Sequence, residues 1–359
     1  MKKTILALTI PALFATSASA VTVYSDEGAQ VDIYGRVQYE AGEIGHQGDF
    51  GQAGAGEAEN FGGDGEARLG VNVKYMLNQD VDLIGKLEWQ VAGESSANGQ
   101  FDSRYAWAGF RFVDTTELTF GRSMDPYAQA LYYTDILNIY GGTAAYGGAI
   151  GDVTKALGYK AAINDKVDDQ VLLTYAANGL DLRAGYAFAD DRKNDSTKEN
   201  KDNQWSVSAG YTAPFGLGVV AAYEEQQFGN FGFAGQDDYQ LDAWIAGLNY
   251  SIDGFYFAAL YTEQEMDNNT NNIETEGYEL HAQYSVDAWT LLAQYSKEDA
   301  NLNGFEWDSI DTITLGGQYA LTPKAKLYAE YVISDSETLD NNGLVTKDDV
   351  FGMGIQYNF

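Results

Sequence analysis

The sequence contains no cysteine, four prolines and two histidines, and it sets 21 Lys and Arg against 53 Asp and Glu in 359 residues. Without cysteine, disulfide staples and thiolate chemistry are excluded. The two histidines, His46 in a glycine-rich stretch and His281 in an alternating segment, belong to no local catalytic or metal-binding signature. Catalysis that needs a base beside a nucleophile is therefore disfavoured, and neither a cofactor nor a metal is expected. The formal charge of -32 leaves no basic footprint for a nucleic-acid partner. After residue 20 there is also no apolar run near the ~20 residues that a spanning helix needs.

What is present is apolar, aromatic and evenly spread. Hydrophobic residues make up 45%, with 26 Tyr, 17 Phe and 40 Gly, which suits many strands joined by flexible connections and argues against disorder despite the charge. The first twenty residues read as an address. Lys2 and Lys3 precede a short apolar run, and Ala18-Ser19-Ala20 forms a small-residue cleavage site, so export with cleavage after Ala20 is expected. Loss of the two lysines would take the charge from -32 to -34.

Residues 350–359 (VFGMGIQYNF) show the pattern of the rest. Phe351, Met353, Ile355, Tyr357 and Phe359 share one face of a strand, while Gly352, Gly354, Gln356 and Asn358 share the other. The same alternation runs through residues 31–41, 66–77, 81–93, 103–112, 117–124, 168–176, 180–188, 204–211, 217–226, 238–250, 255–265, 276–286, 289–297, 309–321 and 325–334, giving sixteen strands. Residues 21–30 read as a polar lead-in. Connections alternate short and long, and one of roughly forty residues, 125–167, breaks the rhythm. Residues 156–163 within it could form a strand, but an odd count would place the termini at opposite mouths, so they are assigned to its return limb.

A secreted sandwich or propeller would also alternate. Segments of ~9 to 11 residues, however, match a tilted crossing of a hydrocarbon layer. The apolar faces carry almost no charge, whereas the polar faces hold Arg, Lys, Asp and Glu in mid-strand, where a packed core would reject them and a water-filled lumen would not. Tyr39, Tyr75, Trp89, Tyr186, Trp244, Tyr250, Tyr295 and Tyr357 lie near strand ends on the apolar face, as interfacial girdles require. The expected fold is all-β, a single-domain (residues 21–359), 16-stranded antiparallel transmembrane barrel. The insert after strand five, too rich in apolar and small residues to hang in solvent, is expected to fold inward and narrow the channel.

The tract Gly121-Arg122, the run from Tyr133 to Gly142 (YTDILNIYGG), Val31 to Arg36 (VDIYGR), Ala67-Arg68-Leu69-Gly70 and the terminal Gln356-Tyr357-Asn358-Phe359 together resemble the general diffusion porins of Gram-negative outer membranes, over essentially the whole mature chain. The resemblance implies a homotrimer in outer-membrane lipid and lipopolysaccharide. It also implies a constriction loop whose carboxylate faces basic wall residues: Asp135 on the loop, and Arg36, Arg68, Arg104 and Lys166 opposite. Ile139 stands where the family has a loop glutamate.

Opposed charges across a narrow aqueous gap select small hydrophilic solutes and ions by size, charge and polarity, and the acidic chain is expected to favour cations. On the outer face, counted alternation points Gly35, Gly85, Gly109 and Arg122 away from the lumen, so the first five strands are expected to meet a neighbouring subunit. A substrate-specific channel, suggested by the tyrosines clustered in the insert, or a surface receptor or adhesin is the alternative.

Overall fold

A computed structural model describes residues 20–44, 61–92, 101–141, 144–156, 162–189, 201–229, 238–267, 270–340 and 343–359. The expected export signal (apart from Ala20), His46 and most of the acidic tract 190–202 lie outside them. In chain order the strands are β1 (Val21–Asp26), β2 (Ala29–Gly42), β3 (Gly62–Met76), β4 (Val81–Ala92), β5 (Phe101–Phe112) and β6 (Thr116–Met124). After the insert come β7 (Lys166–Ala177), β8 (Leu180–Ala187), β9 (Lys201–Thr212), β10 (Leu217–Phe228), β11 (Tyr239–Ile252), β12 (Phe255–Asp267) and β13 (Asn272–Val286). The remainder are β14 (Trp289–Leu302), β15 (Phe305–Thr322), β16 (Ala325–Ser334), β17 (Glu337–Asp340), β18 (Gly343–Thr346) and β19 (Val350–Asn358).

Each strand from β2 to β16 pairs antiparallel with its sequence neighbour, and β19 pairs with both β16 and β2, so sixteen strands close into a barrel. Closure leaves no free edge, which is how an apolar sheet survives in lipid. The seam is tied at its end by reciprocal backbone hydrogen bonds between Gly35 and Phe359, at 3.1 and 3.0 Å.

Alternation sorts the side chains as expected. On β2, Tyr34, Gln38 and Glu40 are buried toward the lumen while Val37 and Tyr39 stand exposed outside. Tyr75, Tyr186, Trp244 and Tyr357 are likewise exposed on the outer face.

The structure revises two readings and adds one strand pair. Residues 21–26 are not a lead-in but β1, which hairpins onto the first residues of β2 in the lane that β19 occupies farther along. β17 pairs antiparallel with β18 inside the long connection between residues 335 and 348. Of residues 156–163, assigned to the return limb of the insert, Ala156 ends a helix, 157–161 lie outside the described set and 162–163 are irregular, and no further barrel strand stands between β6 and β7 among the described residues.

The second correction concerns Gly109, expected to point outward. A β-bulge on β5 leaves Arg104 without a partner between Ser103, opposite Trp89, and Tyr105, opposite Glu88. Two successive side chains then face the lumen, and every residue after the bulge reverses its face. Gly109 therefore pairs with lumen-facing Thr119 and points inward, whereas Ala106 and Ala108 take the outer positions.

Candidate functional site

The insert between β6 and β7 folds into the barrel. Its ends are zipped by a hydrogen bond from the Asp125 N–H to the Asp165 carbonyl at 3.1 Å. Asp125 also accepts from the Tyr127 N–H at 2.7 Å, starting α1 (Ala128–Leu131). A 3₁₀ turn (Ala144–Tyr146) and α2 (Gly148–Ala156) follow.

Apolar residues of the insert decide where it lies. Tyr127, Ala130, Leu131, Ala145 and Ile150 are buried against Val220, Ile245, Leu260, Met266 and Ile273, so the insert fills the half of the lumen walled by β10 to β13. At roughly 25 cal/mol per Å², burial of that many apolar side chains is the main force that holds it there. Several polar groups of the insert are met by the wall. The Tyr127 hydroxyl hydrogen-bonds Thr262 Oγ1 at 2.7 Å, and the Tyr256 hydroxyl donates to the Tyr133 carbonyl at 2.8 Å. Three buried wall carboxylates accept backbone N–H groups: Glu279 from Ala145 at 3.2 Å, Glu298 from Ala149 at 3.0 Å, and Glu330 from Asn138, Ile139 and Tyr140 at 2.6 to 3.2 Å.

The other half of the lumen stays open as a cavity of ≈ 1360 Å³ between the insert and β2 to β6. Arg36, Arg68 and Arg104 line it on the wall side and Asp135 on the insert side, so the structure brings together four of the five constriction residues named from the sequence. The fifth, Lys166, is buried at the root of the insert, where its ammonium pairs with Asp165. Ile139 is half-buried, with its N–H on Glu330 and its side chain beside Gly352.

The basic wall is not bare. Glu66 is shared by Arg36 at 2.6 Å and Arg68 at 2.9 Å; Glu88 takes Arg104 at 2.8 Å, lies 3.8 Å from the Lys86 ammonium, and accepts the Tyr34 hydroxyl at 2.6 Å. Lys86 also stands 4.2 Å over the Tyr105 ring. Among the described residues, seven basic and six acidic side chains line the cavity, so the chain's acidity is not concentrated there. Glu66, Glu88, Lys86 and Asp165 were not picked out as site residues. Strand alternation gave Lys86 and Glu88 their face, but pairing between them and their partners depends on register across strands, which a single sequence does not print.

Asp135 is half-buried on the insert, with the Tyr146 hydroxyl at 3.3 Å. Burial, then the nearby Glu279 and Asp165 carboxylates, push its pKa up to about 7. Burial opposes ionisation of Asp165 too, but the Lys166 ammonium beside it holds that carboxyl below its usual range.

On the outer face Gly85 and Arg122 point away from the lumen as expected. Arg122 is held by Asp168 at 3.1 Å and by the Ser103 carbonyl at 2.9 Å. Gly35 also points outward, but the space a side chain would fill is taken by the chain's own Phe359 ring, 2.5 Å from where a Cβ would sit.

A sequence profile of the family described as Gram-negative porin matches residues 7–341. Outer membrane porin F of Escherichia coli (strain K12) is 28% identical over 390 residues, covering all of both chains. Among solved structures, a Salmonella typhi OmpF complex with daunomycin superposes with a TM-score of 0.74 at 19% identity, over 94% of this chain and all of that one. The trimer form of OmpT, an outer membrane protein of Vibrio cholerae, gives 0.70 at 21% identity over 93% of this chain and all of that one.

Proposed function

The chain belongs to the Gram-negative porin family, and from that premise we propose that it is a cation-preferring, homotrimeric pore that passes small hydrophilic solutes. It is an outer-membrane channel and not an enzyme. The observation that carries the finer reading is the division of the lumen: apolar packing clamps the insert to one wall, and the gap left open has Asp135 and Asp165 on the insert and a guanidinium cluster on the facing wall. Such a gap orients dipolar solutes and penalises apolar ones, whose passage strips ordered water.

Cation preference in this reading arises chiefly at the loop end of the barrel, because the lining charges nearly balance. Residues 42–65 contain five carboxylates and no Lys or Arg, and residues 263–276 contain five more with none. Fields from charges in solvent reach about 10 Å at 0.1 M salt and about 3 Å at 1 M. Reversal potentials across a KCl gradient test this. Cation preference should be clear near 0.1 M and weaker near 1 M, and anion preference at low salt overturns it.

The homotrimer is supported by the small outward residues Gly85, Ala106 and Ala108, which let another backbone approach β4 and β5, and by the trimer form of the Vibrio cholerae relative. Gly109 drops out of that surface, and Gly35 is accounted for within the chain.

A further inference from the structure

We infer that Asp165 is a carboxylate, besides Asp135, through which the narrow part of the channel itself favours cations and ammonium-bearing solutes. The inference rests on the pore reading above, and it concerns a side chain at the root of the insert.

Three observations carry it. Three other acidic groups at the gap are committed to basic partners. Glu66 and Glu88, each only 5% exposed, lie between guanidinium and ammonium groups of the wall, and Glu117 is paired with Arg111 at 2.8 Å. Their charge is cancelled locally. Asp165, by contrast, keeps 25% of its side chain exposed to the cavity it lines, while its own counter-ion, Lys166, is 4% exposed. Of this pair, water and solute meet the carboxylate and not the ammonium. Its orientation is also fixed, since Oδ2 accepts the Tyr132 hydroxyl at 2.7 Å as well as the Lys166 ammonium, and its backbone carbonyl is tied to the other end of the insert. A rotamer locked on two sides needs little reorganisation to meet a passing cation.

Asp165 also lies within electrostatic reach of Arg104. A cation crossing between them is drawn to the insert side and an anion to the wall side. Removal of the Asp165 charge would expose the Lys166 ammonium as a local positive charge, so the variant should do more than lose one attraction.

The test uses the purified full-length protein in planar bilayers at ~1 M KCl, where fields from the rim are screened to about 3 Å and groups inside the gap dominate. Asp165→Asn should lower the cation-to-anion permeability ratio at least two-fold relative to wild type. Asp114→Asn, the same charge change in the exposed β5–β6 turn, should leave it unmoved. Asp165→Glu should retain the wild-type ratio, and Asp165→Asn with Lys166→Gln should return most of the loss. Far-UV circular dichroism and heat-modified electrophoretic mobility confirm that each variant is folded. If Asp165→Asn shifts the ratio no more than Asp114→Asn, or if the double variant stays as low as the single one, the inference is overturned. Its failure is separable from that of the pore reading, which is judged by the sign of the wild-type reversal potential at ~0.1 M.

Discussion

Asn138, at the turn of the inserted loop, gives both its backbone and its side-chain N–H to Glu330 on β16, at 2.6 and 2.8 Å. Ile139 and Tyr140 add their backbone N–H groups to the same carboxylate at 3.0 and 3.2 Å. Four donors thus converge on one 1% exposed acid, while the Lys326 ammonium donates to the Asn138 side-chain oxygen and the Tyr140 hydroxyl to the Glu43 carbonyl at 3.3 Å. Hydrogen bonds to a charged acceptor contribute roughly 1.5–3 kcal/mol each when lost from a buried site. Glu330→Ala is expected to release the turn without opening the barrel, because the apolar packing of α1 lies elsewhere. Single-channel recordings should show increased current noise and a changed mean conductance, with heat-modified mobility as in wild type; quiet, wild-type currents would refute this role.

The seam and the outer face separate two uses of glycine. Gly35 leaves room for the Phe359 ring, so Gly35→Val should strike it and weaken closure, lowering the temperature at which the barrel unfolds in detergent. Ala108, paired with Gly85 and exposed on the outside, has no such neighbour, and Ala108→Leu should leave the barrel intact while lowering the heat resistance of the trimer. Temperature series on gels read both species, and the prediction fails if the two variants behave alike.

Much of this architecture was legible in the chain because lipid outside and water inside impose a period-two pattern on every crossing. The sixteen barrel strands fall where alternation puts them, to within a few residues at each end. Alternation cannot, however, see a residue that breaks it. The bulge at Arg104 leaves no mark in composition, yet it turns Gly109 inward and Ala108 outward. The insert's destination could be read from its apolar content, but its anchors could not. Glu279, Glu298 and Glu330 look like any other lumen-facing acids until the register sets them opposite free N–H groups of the insert.

Register also explains why the basic cluster is weaker than three arginines suggest. Arg104 shares Glu88 with Lys86 and the Tyr34 hydroxyl, so removal of the guanidinium uncovers a carboxylate and widens the gap. Arg104→Ala should therefore raise single-channel conductance and shift the reversal potential toward cations, whereas Arg104→Ala with Glu88→Gln should raise conductance with a smaller shift. An unchanged reversal potential in the single variant would show that Glu88 stays screened by Lys86.

The pH response follows from the two insert carboxylates that line the gap being held in opposite directions. Asp135 is pushed up to about 7, so it is ionised at pH 8 and largely protonated at pH 6, while the Lys166 ammonium keeps Asp165 ionised across that range. For an acid whose folded-state pKa is raised, the folded form holds the proton more tightly than the unfolded one, and its contribution to stability is lost as pH rises through about 7. Acidification from pH 8 to 6 should thus leave the insert seated and remove one negative charge from the gap. The cation-to-anion permeability ratio should fall over that interval, with a midpoint near 7, and Asp135→Asn should flatten the curve at its acid-side level. A titration that survives intact in Asp135→Asn would assign the response to another group.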